Sequence, residues 1–576
     1  MAFQVSPGIS ISEKDLTTVV PNTATAIGAY CGGFQWGPVH ERTTITTENE
    51  LVDVFGTPDD LTERHFWSCA NYLAYANNLL VVRVCESGAL NSTIGNNAPA
   101  AAGATVYNAT HYDSVTPAAD VLFIAKYPGA LGNSLKVQVI DSNGWADSTI
   151  NETFLAHFDG APSTSADVAA HGGSQDEMHV IVIDEDGLWT GVPGEVLEKF
   201  AFVSKASDAK RHDGSSNYIK DVLRNESQYV WLGDVTELTD LSVAAGTAAG
   251  QPKSSATFQT FDSATAAEAI LGGSMGWGNN GAAVTVASRT TANEGYPLFQ
   301  VPEVVDVNLI IGGETTTAMN STLSGMCGQG ASERNDAMVF LSPGYTAAVT
   351  TKTSTAIVAD KNITNNYVVY DGAWKYQYCR YRDKFFWMPM NPDTAGMVAR
   401  AEYTQDAWWS PAGMARGQVK NIVKLSWEPT KADRDELYKK SVNPYITQTG
   451  AGIILWGDKT AQVTPTAFDR INVRRLFIIL EKAISIAAKA MLFEFNDTFT
   501  RAQFVNMVSP FLRTIQGRRG ITDFKVVCDG SNNPGSIIDA NQFVGDIYIK
   551  PARSINYIQL NFIAARTDVS FSEIGG

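Results

Sequence analysis

Apolar and polar positions alternate with different periods along the chain, and the period changes mark out its parts. Residues 24–34 are an apolar run, 65–76 carry apolar groups at helical spacing, and Leu79-Leu80-Val81-Val82-Arg83-Val84 is a short continuous apolar run bounded by polar residues. This pattern predicts strand, helix and buried strand, so residues 23–90 read as α/β. Residues 121–344 alternate strand-like runs with turns. Residues 135–139 and 179–183 are strands, 242–255 and 272–281 are small-residue loops, 266–271 has helical spacing and 283–286 reads as a strand. After Tyr367 the chain turns aromatic, with Trp374, Tyr376, Tyr378, Tyr381, Phe385, Phe386 and Trp387 ahead of Asn391-Pro392-Asp393. Helices are predicted over 392–405 and 431–440, and a buried strand over 452–457. The strongest helical pattern covers 470–493 through Leu476, Ile479, Leu480, Ala483 and Ile486. A second helix over 500–516 ends at Gly517, and strand-like runs follow at 521–527, 545–553 and 555–562.

The first twenty residues are different. Ser6-Pro7-Gly8 is a turn signal, and Ile9-Ser10-Ile11-Ser12 alternates with strand period. A strand this short needs another sheet to pair with. Between about 88 and 120 the composition shifts to Ala, Asn, Gly and Thr, which marks the point where further domain material is inserted.

A chain of 576 residues exceeds a single core and predicts several domains. The formal charge of −17 argues against a general nucleic-acid binder. The charge is uneven: residues 456–576 carry 14 Lys/Arg against 11 Asp/Glu, and the rest of the chain 29 against 49. The C-terminal part therefore suits an acidic partner and the remainder suits solvent, or the difference is chance variation in surface charge. Six cysteines (31, 69, 85, 327, 379, 528) lie scattered with no CxxC pair, as free thiols do. No signal peptide and no membrane span are expected; Glu481, Lys482 and Lys489 interrupt the most apolar helix.

Several short motifs resemble reactive sites. Gly276-Trp277-Gly278-Asn279-Asn280-Gly281 fits GxGxxG, but a helix before it and a strand after it are the wrong context for a pyrophosphate. Gly272-Gly273-Ser274-Met275-Gly276 fits GxSxG without the strand-to-helix elbow. Gly452 to Thr460 resembles a P-loop, with Asp458 where the lysine should follow the second glycine. Asp184-Glu185-Asp186-Gly187 has its glycine in the wrong register for an EF-hand. The seven histidines show no paired ligand spacing. No catalytic, cofactor-binding or metal-binding residue is expected. A hydrolase using Ser274 remains as the enzymatic alternative.

Other segments, in order, resemble contractile phage tail sheath proteins. They are Pro7-Gly8-Ile9-Ser10-Ile11-Ser12-Glu13, Phe34-Gln35-Trp36-Gly37-Pro38, Leu51 to Gly56, Val81-Val82-Arg83-Val84, Ala125 to Leu135, Gly194 to Phe200 and Asp213 to Tyr218. The order of the last hundred residues resembles the C-terminal sheath domain. The set is most similar to sheaths of large myovirus-type phages, which carry extra outer domains.

The resemblance implies an α/β and α+β multidomain fold: a sheath core of mixed sheet and long helices with inserted β-rich outer domains. The expected boundaries are 1–20 for a linking arm, 21–90 and 345–455 for the core, 91–344 for the insert and 456–576 for the C-terminal domain. It implies a structural subunit that polymerises helically around a tail tube and contracts to drive the tube through the host envelope, without a cofactor. Baseplate and tail terminator proteins are the further partners implied, and the site is the phage tail, assembled in the host cytoplasm. Val5, Ile9 and Ile11 at one end and Val569, Phe571 and Ile574 at the other are expected to link subunits by β-augmentation. Arg501, Arg513, Arg518 and Arg519 are expected to face the tube; for Arg518 and Arg519 the competing role is capping the helix and pairing with Asp523 or Asp529. Another self-assembling protein, of capsid or surface-layer type, is the structural alternative.

Overall fold

The computed structural model describes residues 26–94, 105–115, 121–145, 152–235, 238, 246–255, 257–260, 272–330, 332–556 and 559. The chain forms two compact units, and each is described by itself.

The larger unit, residues 24–405 and 411–469, is built on a six-stranded sheet in the order Val368–Tyr370, Met338–Leu341, Leu309–Ile311, Gly28–Gly32, Leu79–Arg83, Arg42–Ile45. The first five run parallel and Arg42–Ile45 closes one edge antiparallel to Leu79–Arg83. The helices Glu63–Leu73, Thr317–Ser324 and Ser354–Asp360 form crossovers, as parallel strands require. Full burial of the parallel strands explains their continuous apolar runs.

This topology corrects the expected insert boundary at 344. Leu309–Ile311 pairs with Gly28–Gly32 and Met338–Leu341 pairs with Leu309–Ile311, so the core resumes well before 345. The insert is rooted where Ala89–Leu90 pairs antiparallel with Asn279–Asn280. Between these lie an antiparallel four-stranded sheet (Gly272–Ser274, Leu135–Ile140, Glu177–Asp184, Glu195–Ser204) and a three-stranded one (Val230–Leu232, Phe123–Ala125, Thr93–Ile94). The insert is β-rich, as expected. Gly272–Ser274, however, is a strand and not part of a loop. Residues 283–286, read as a strand, instead lead into the helix Val286–Thr290, because the Thr285 hydroxyl accepts the Ser288 amide in a capping box.

In the smaller unit, residues 470–576 with 406–410, two long helices pack on a two-stranded sheet. Ile471–Lys489 buries Leu476, Leu480, Ala483 and Ala487, whereas Ile486 is 42% exposed. Thr498–Gly517 starts where the Asp497 carboxylate accepts the Thr500 amide, and buries Phe504, Met507, Val508, Leu512 and Ile515 against the first helix. Ile521–Val527 pairs antiparallel with Asp546–Pro551. The left-handed residue at the end of Thr498–Gly517 is Arg519, at φ 66°, and not Gly517. The Arg519 and Gly520 amides bond back to the Gln516 and Ile515 carbonyls there.

Candidate assembly surfaces

The smaller unit has an unfinished side. Among the described residues Asp546–Pro551 pairs with Ile521–Val527 alone, so its outer edge is open. Beside it lies an open groove of about 410 Å³, lined by Phe477, Leu480, Glu481, Ile484 and Ser485 of the first helix and by Ile547 and Ile549 of the strand. Among the described residues the groove is thus floored by apolar side chains of both the helix and the strand. An open edge beside an apolar floor is the geometry that accepts a further strand: main-chain groups for pairing and a floor for alternate side chains.

The four arginines separate. Arg501 is buried, and its guanidinium donates to the Asp497 and Asn496 carbonyls, fixing the turn between the helices. This corrects its expected place on an exposed face; a cation there satisfies local carbonyls first. Arg518 pairs with Asp406 and lies over the Trp408 ring at 5.4 Å, and Trp408 donates from its indole to the Arg518 carbonyl. Arg519 lies over Trp409. The competing reading expected a pair with Asp523 or Asp529; Asp523 accepts from Lys550, and Asp529 accepts from the Ser531 amide and hydroxyl. Arg513 remains exposed on a face shared with Phe499, Gln503, Asn506 and Pro510.

Sequence reasoning missed what precedes that face. Leu492, Phe493, Phe495 and Phe499 are exposed at 63%, 104%, 83% and 75%, and Phe493 is left-handed at φ 70°. Apolar residues close to a helix read as core, so the pattern alone hid them. The linking residues Val5, Ile9, Ile11, Val569, Phe571 and Ile574 lie outside the described residues.

At the root of the insert, three of the sheath-like segments converge on one side chain. Arg83 is buried and donates to the carbonyls of Phe34 (3.0 Å), Gln35 (3.2 Å), Gly37 (2.8 Å) and Pro128 (2.5 Å). It ties the loop after the first core strand to the insert. Burial lowers its pKa to about 10, so it stays charged near neutral pH. Gly129 passes so close to the Gln35 carbonyl that a Cβ would lie 2.4 Å from it.

The reactive-looking motifs are spoken for. Asn133 donates to the Gly278 carbonyl and accepts from its amide, and a Cβ on Gly278 would meet the Ser92 hydroxyl at 2.1 Å. These glycines allow close packing, and the space a phosphate would need is filled by protein. The Asp184 carboxylate accepts from Ser134, the Leu188, Trp189 and Thr190 amides and the Thr190 hydroxyl. Burial raises its pKa, but these bonds prevail and hold it below the ordinary carboxylate range. It is a loop cap. Among the described residues no His/Cys/Asp/Glu group could hold a metal ion, and no helix is long and apolar enough to cross a membrane.

Residues 25–84 match the tail sheath protein Gp18 domain III N-terminal region, 283–461 the phage tail sheath protein central domain, and 463–565 the phage tail sheath C-terminal domain. The tail sheath protein of Vibrio phage KVP40 is 31% identical over 99% of this chain and 100% of its own. The chain belongs to the phage tail sheath proteins. The sheath of Enterobacteria phage T4 is 30% identical over 99% of each chain, and that of Salmonella phage ViI 28% identical over 100% of this chain and 98% of its own. In fold it is similar to a sheath tail protein from Listeria innocua (13% identical, TM-score 0.52, 92% of each chain). It is a structural subunit of a helical contractile tail sheath in the phage virion, and not an enzyme. The unmatched stretch between 84 and 283 coincides with the insert.

Proposed function

We propose that the sheath assembles in the host cytoplasm around a tail tube, between a baseplate and a terminator protein, and contracts to drive the tube through the host envelope. The observation that carries the assembly step is the open edge of Asp546–Pro551 beside the apolar groove. Terminal segments of neighbouring copies, with Val5, Ile9 and Ile11 or Val569, Phe571 and Ile574 as their apolar side chains, complete that sheet. Main-chain pairing survives rotation of whole subunits, so the links persist while the helix changes shape. Head-to-tail contacts that do not close into a ring give a filament.

In the same reading, the helix face from Phe499 to Arg513, with Leu492, Phe493 and Phe495 at its start, meets the tube. The exposed phenylalanines supply grip, and Arg513 supplies attraction to an acidic surface. The insert between Ala89–Leu90 and Asn279–Asn280 lies outward, in keeping with the acidic balance outside the C-terminal region.

Deletion of residues 1–12 tests the linkage. Folded, soluble protein that no longer forms tubes is the expected product. Long, stable tubes from the truncated chain would refute it.

A further inference from the structure

The hairpin Trp374–Cys379 and Lys384–Pro389, with Lys424–Leu425 as a third strand, leaves part of its aromatic outer face uncovered. A sheet with one face on the core ordinarily buries its apolar side chains and exposes its polar ones. Here the inward face mixes the buried apolar Cys379, Phe386, Met388 and Leu425 with the buried polar Lys375 and Gln377. Lys375 pairs with Asp393 at 2.9 Å, with exposures of 0% and 1%, and Gln377 accepts from Asn71 at 2.9 Å. The outward face carries aromatic rings.

Those rings form a ladder. Tyr376 stands opposite Trp387, and Tyr378 opposite Phe385. Ring centroids are 4.7 Å apart for Tyr376–Trp387, 5.6 Å for Tyr376–Phe385 and 5.2 Å for Tyr378–Phe385. Trp374, at the inner end, is covered by Tyr345. Moving outward the cover ends: Tyr378 is 44% exposed and Phe385 50%. Lys424 pairs with Tyr376 in register and holds its ammonium 5.0 Å from that ring and 5.8 Å from Trp387. The two strands pair with each other along all six residues, and the ion pair and the amide bond anchor the inward face.

We propose that this aromatic ladder is a contact surface for a second copy of the chain in the assembled sheath. The partner is argued from charge and area. Residues 1–455, the bulk of any neighbouring copy, carry 29 Lys/Arg against 49 Asp/Glu, so the surface offered to Lys424 is acidic. At ~200 Å² per ring, the open part of the ladder presents on the order of 200 Å², about a quarter of the ~800 Å² one partner gives a standard interface. The rings match the aromatic enrichment of interface centres, and Lys424 sits at their rim. The contact does not depend on exchange of terminal strands, and it lies on the unit that does not carry the proposed tube face.

The test uses the full-length chain polymerising without tube. Tyr378→Ser with Phe385→Ser is expected to leave the circular dichroism and melting temperature of the monomer close to wild type, and to raise the critical concentration for polymer at least ten-fold. Lys424→Glu is expected to raise it further at low salt than at high salt. A photo-crosslinking phenylalanine analogue at position 385 keeps the aromatic face, so it reads the contact even if the double variant folds poorly. In assembled sheath it should crosslink to a second copy of the chain. An unchanged critical concentration in a folded double variant, crosslinks to the tube alone, or no crosslink at all would each overturn the proposal.

Discussion

Ile484 offers the sharpest test of strand completion. It lines the groove beside Asp546–Pro551 and is partly buried in the free subunit. A strand laid on that edge would cover the rest of it. Burying an isoleucine fully stabilises by about 1.5–3 kcal/mol, and part of that gain is already present in the monomer. Replacement by aspartate loses the remaining gain and also places a carboxylate under an apolar strand, which costs a further 1–3 kcal/mol by order of magnitude. Each junction should weaken by about 3 kcal/mol. At about 1.4 kcal/mol per decade, the critical concentration for polymer should rise on the order of 100-fold. Ile484→Val removes one methylene, roughly 0.8 kcal/mol, and should raise it only about 4-fold. Sedimentation of polymer across a concentration series measures both, with thermal unfolding of the monomer alongside. If Ile484→Asp lowers the melting temperature while its critical concentration stays at the wild-type value, the groove is ordinary subunit surface and the reasoning fails.

Arg83→Met should destabilise the larger unit by at least about 4 kcal/mol in chemical denaturation, because four carbonyls lose their donor and each unsatisfied buried group costs about 1–3 kcal/mol; a loss below about 1 kcal/mol would mean water replaces the guanidinium freely. His65, bonded to the Tyr30 hydroxyl, is held at about 3 by burial and by the charges of Arg289 and Arg64. The unfolded chain protonates near 6.5, so between about 6.5 and about 3 the unfolded state binds the extra proton. Stability from this site is complete above that window and falls as pH drops through it, by at most ~1.4 kcal/mol per pH unit, and His65→Gln should flatten the slope. Arg513→Glu should weaken assembly on the tube while tube-free polymer forms as before; equal assembly of both proteins on the tube removes Arg513 from that contact.

Much of this architecture is legible in the sequence, for reasons that also explain the failures. Leu79–Arg83 and Ile471–Lys489 announce themselves because each buries a continuous run or stripe that nothing else imitates. The core strands Leu309–Ile311 and Met338–Leu341 are three and four residues long, and their partners lie far away in the chain. No local pattern says which sheet they join, so the sequence alone does not end the insert ahead of them. Arg501 reads as surface because cations usually are; only the folded turn reveals carbonyls that claim it. Along residues 374–378 aromatic and polar residues alternate, and the polar set faces inward because Asp393 and Asn71 meet Lys375 and Gln377 there. Partners distant in sequence decided that orientation.

Salt should separate the two kinds of contact this subunit makes. A polymer of chains with formal charge −17 must overcome mutual repulsion, which acts over a Debye length of about 8 Å at physiological ionic strength. The groove and the rings of the ladder work by apolar burial and main-chain pairing, which salt does not screen, and the exposed Lys424 adds only a small charge contribution. Added salt weakens the repulsion and leaves that attraction, so tube-free polymerisation should strengthen as ionic strength rises. The Arg513 contact with an acidic tube is an exposed charge pair worth about 0–1 kcal/mol, and salt should erase it. Raising sodium chloride from about 0.05 to 0.5 M should therefore lower the critical concentration for free polymer and reduce the preference for assembling on the tube. A critical concentration that instead climbs with salt would mean that charge pairing, and not apolar surface, holds one copy to the next.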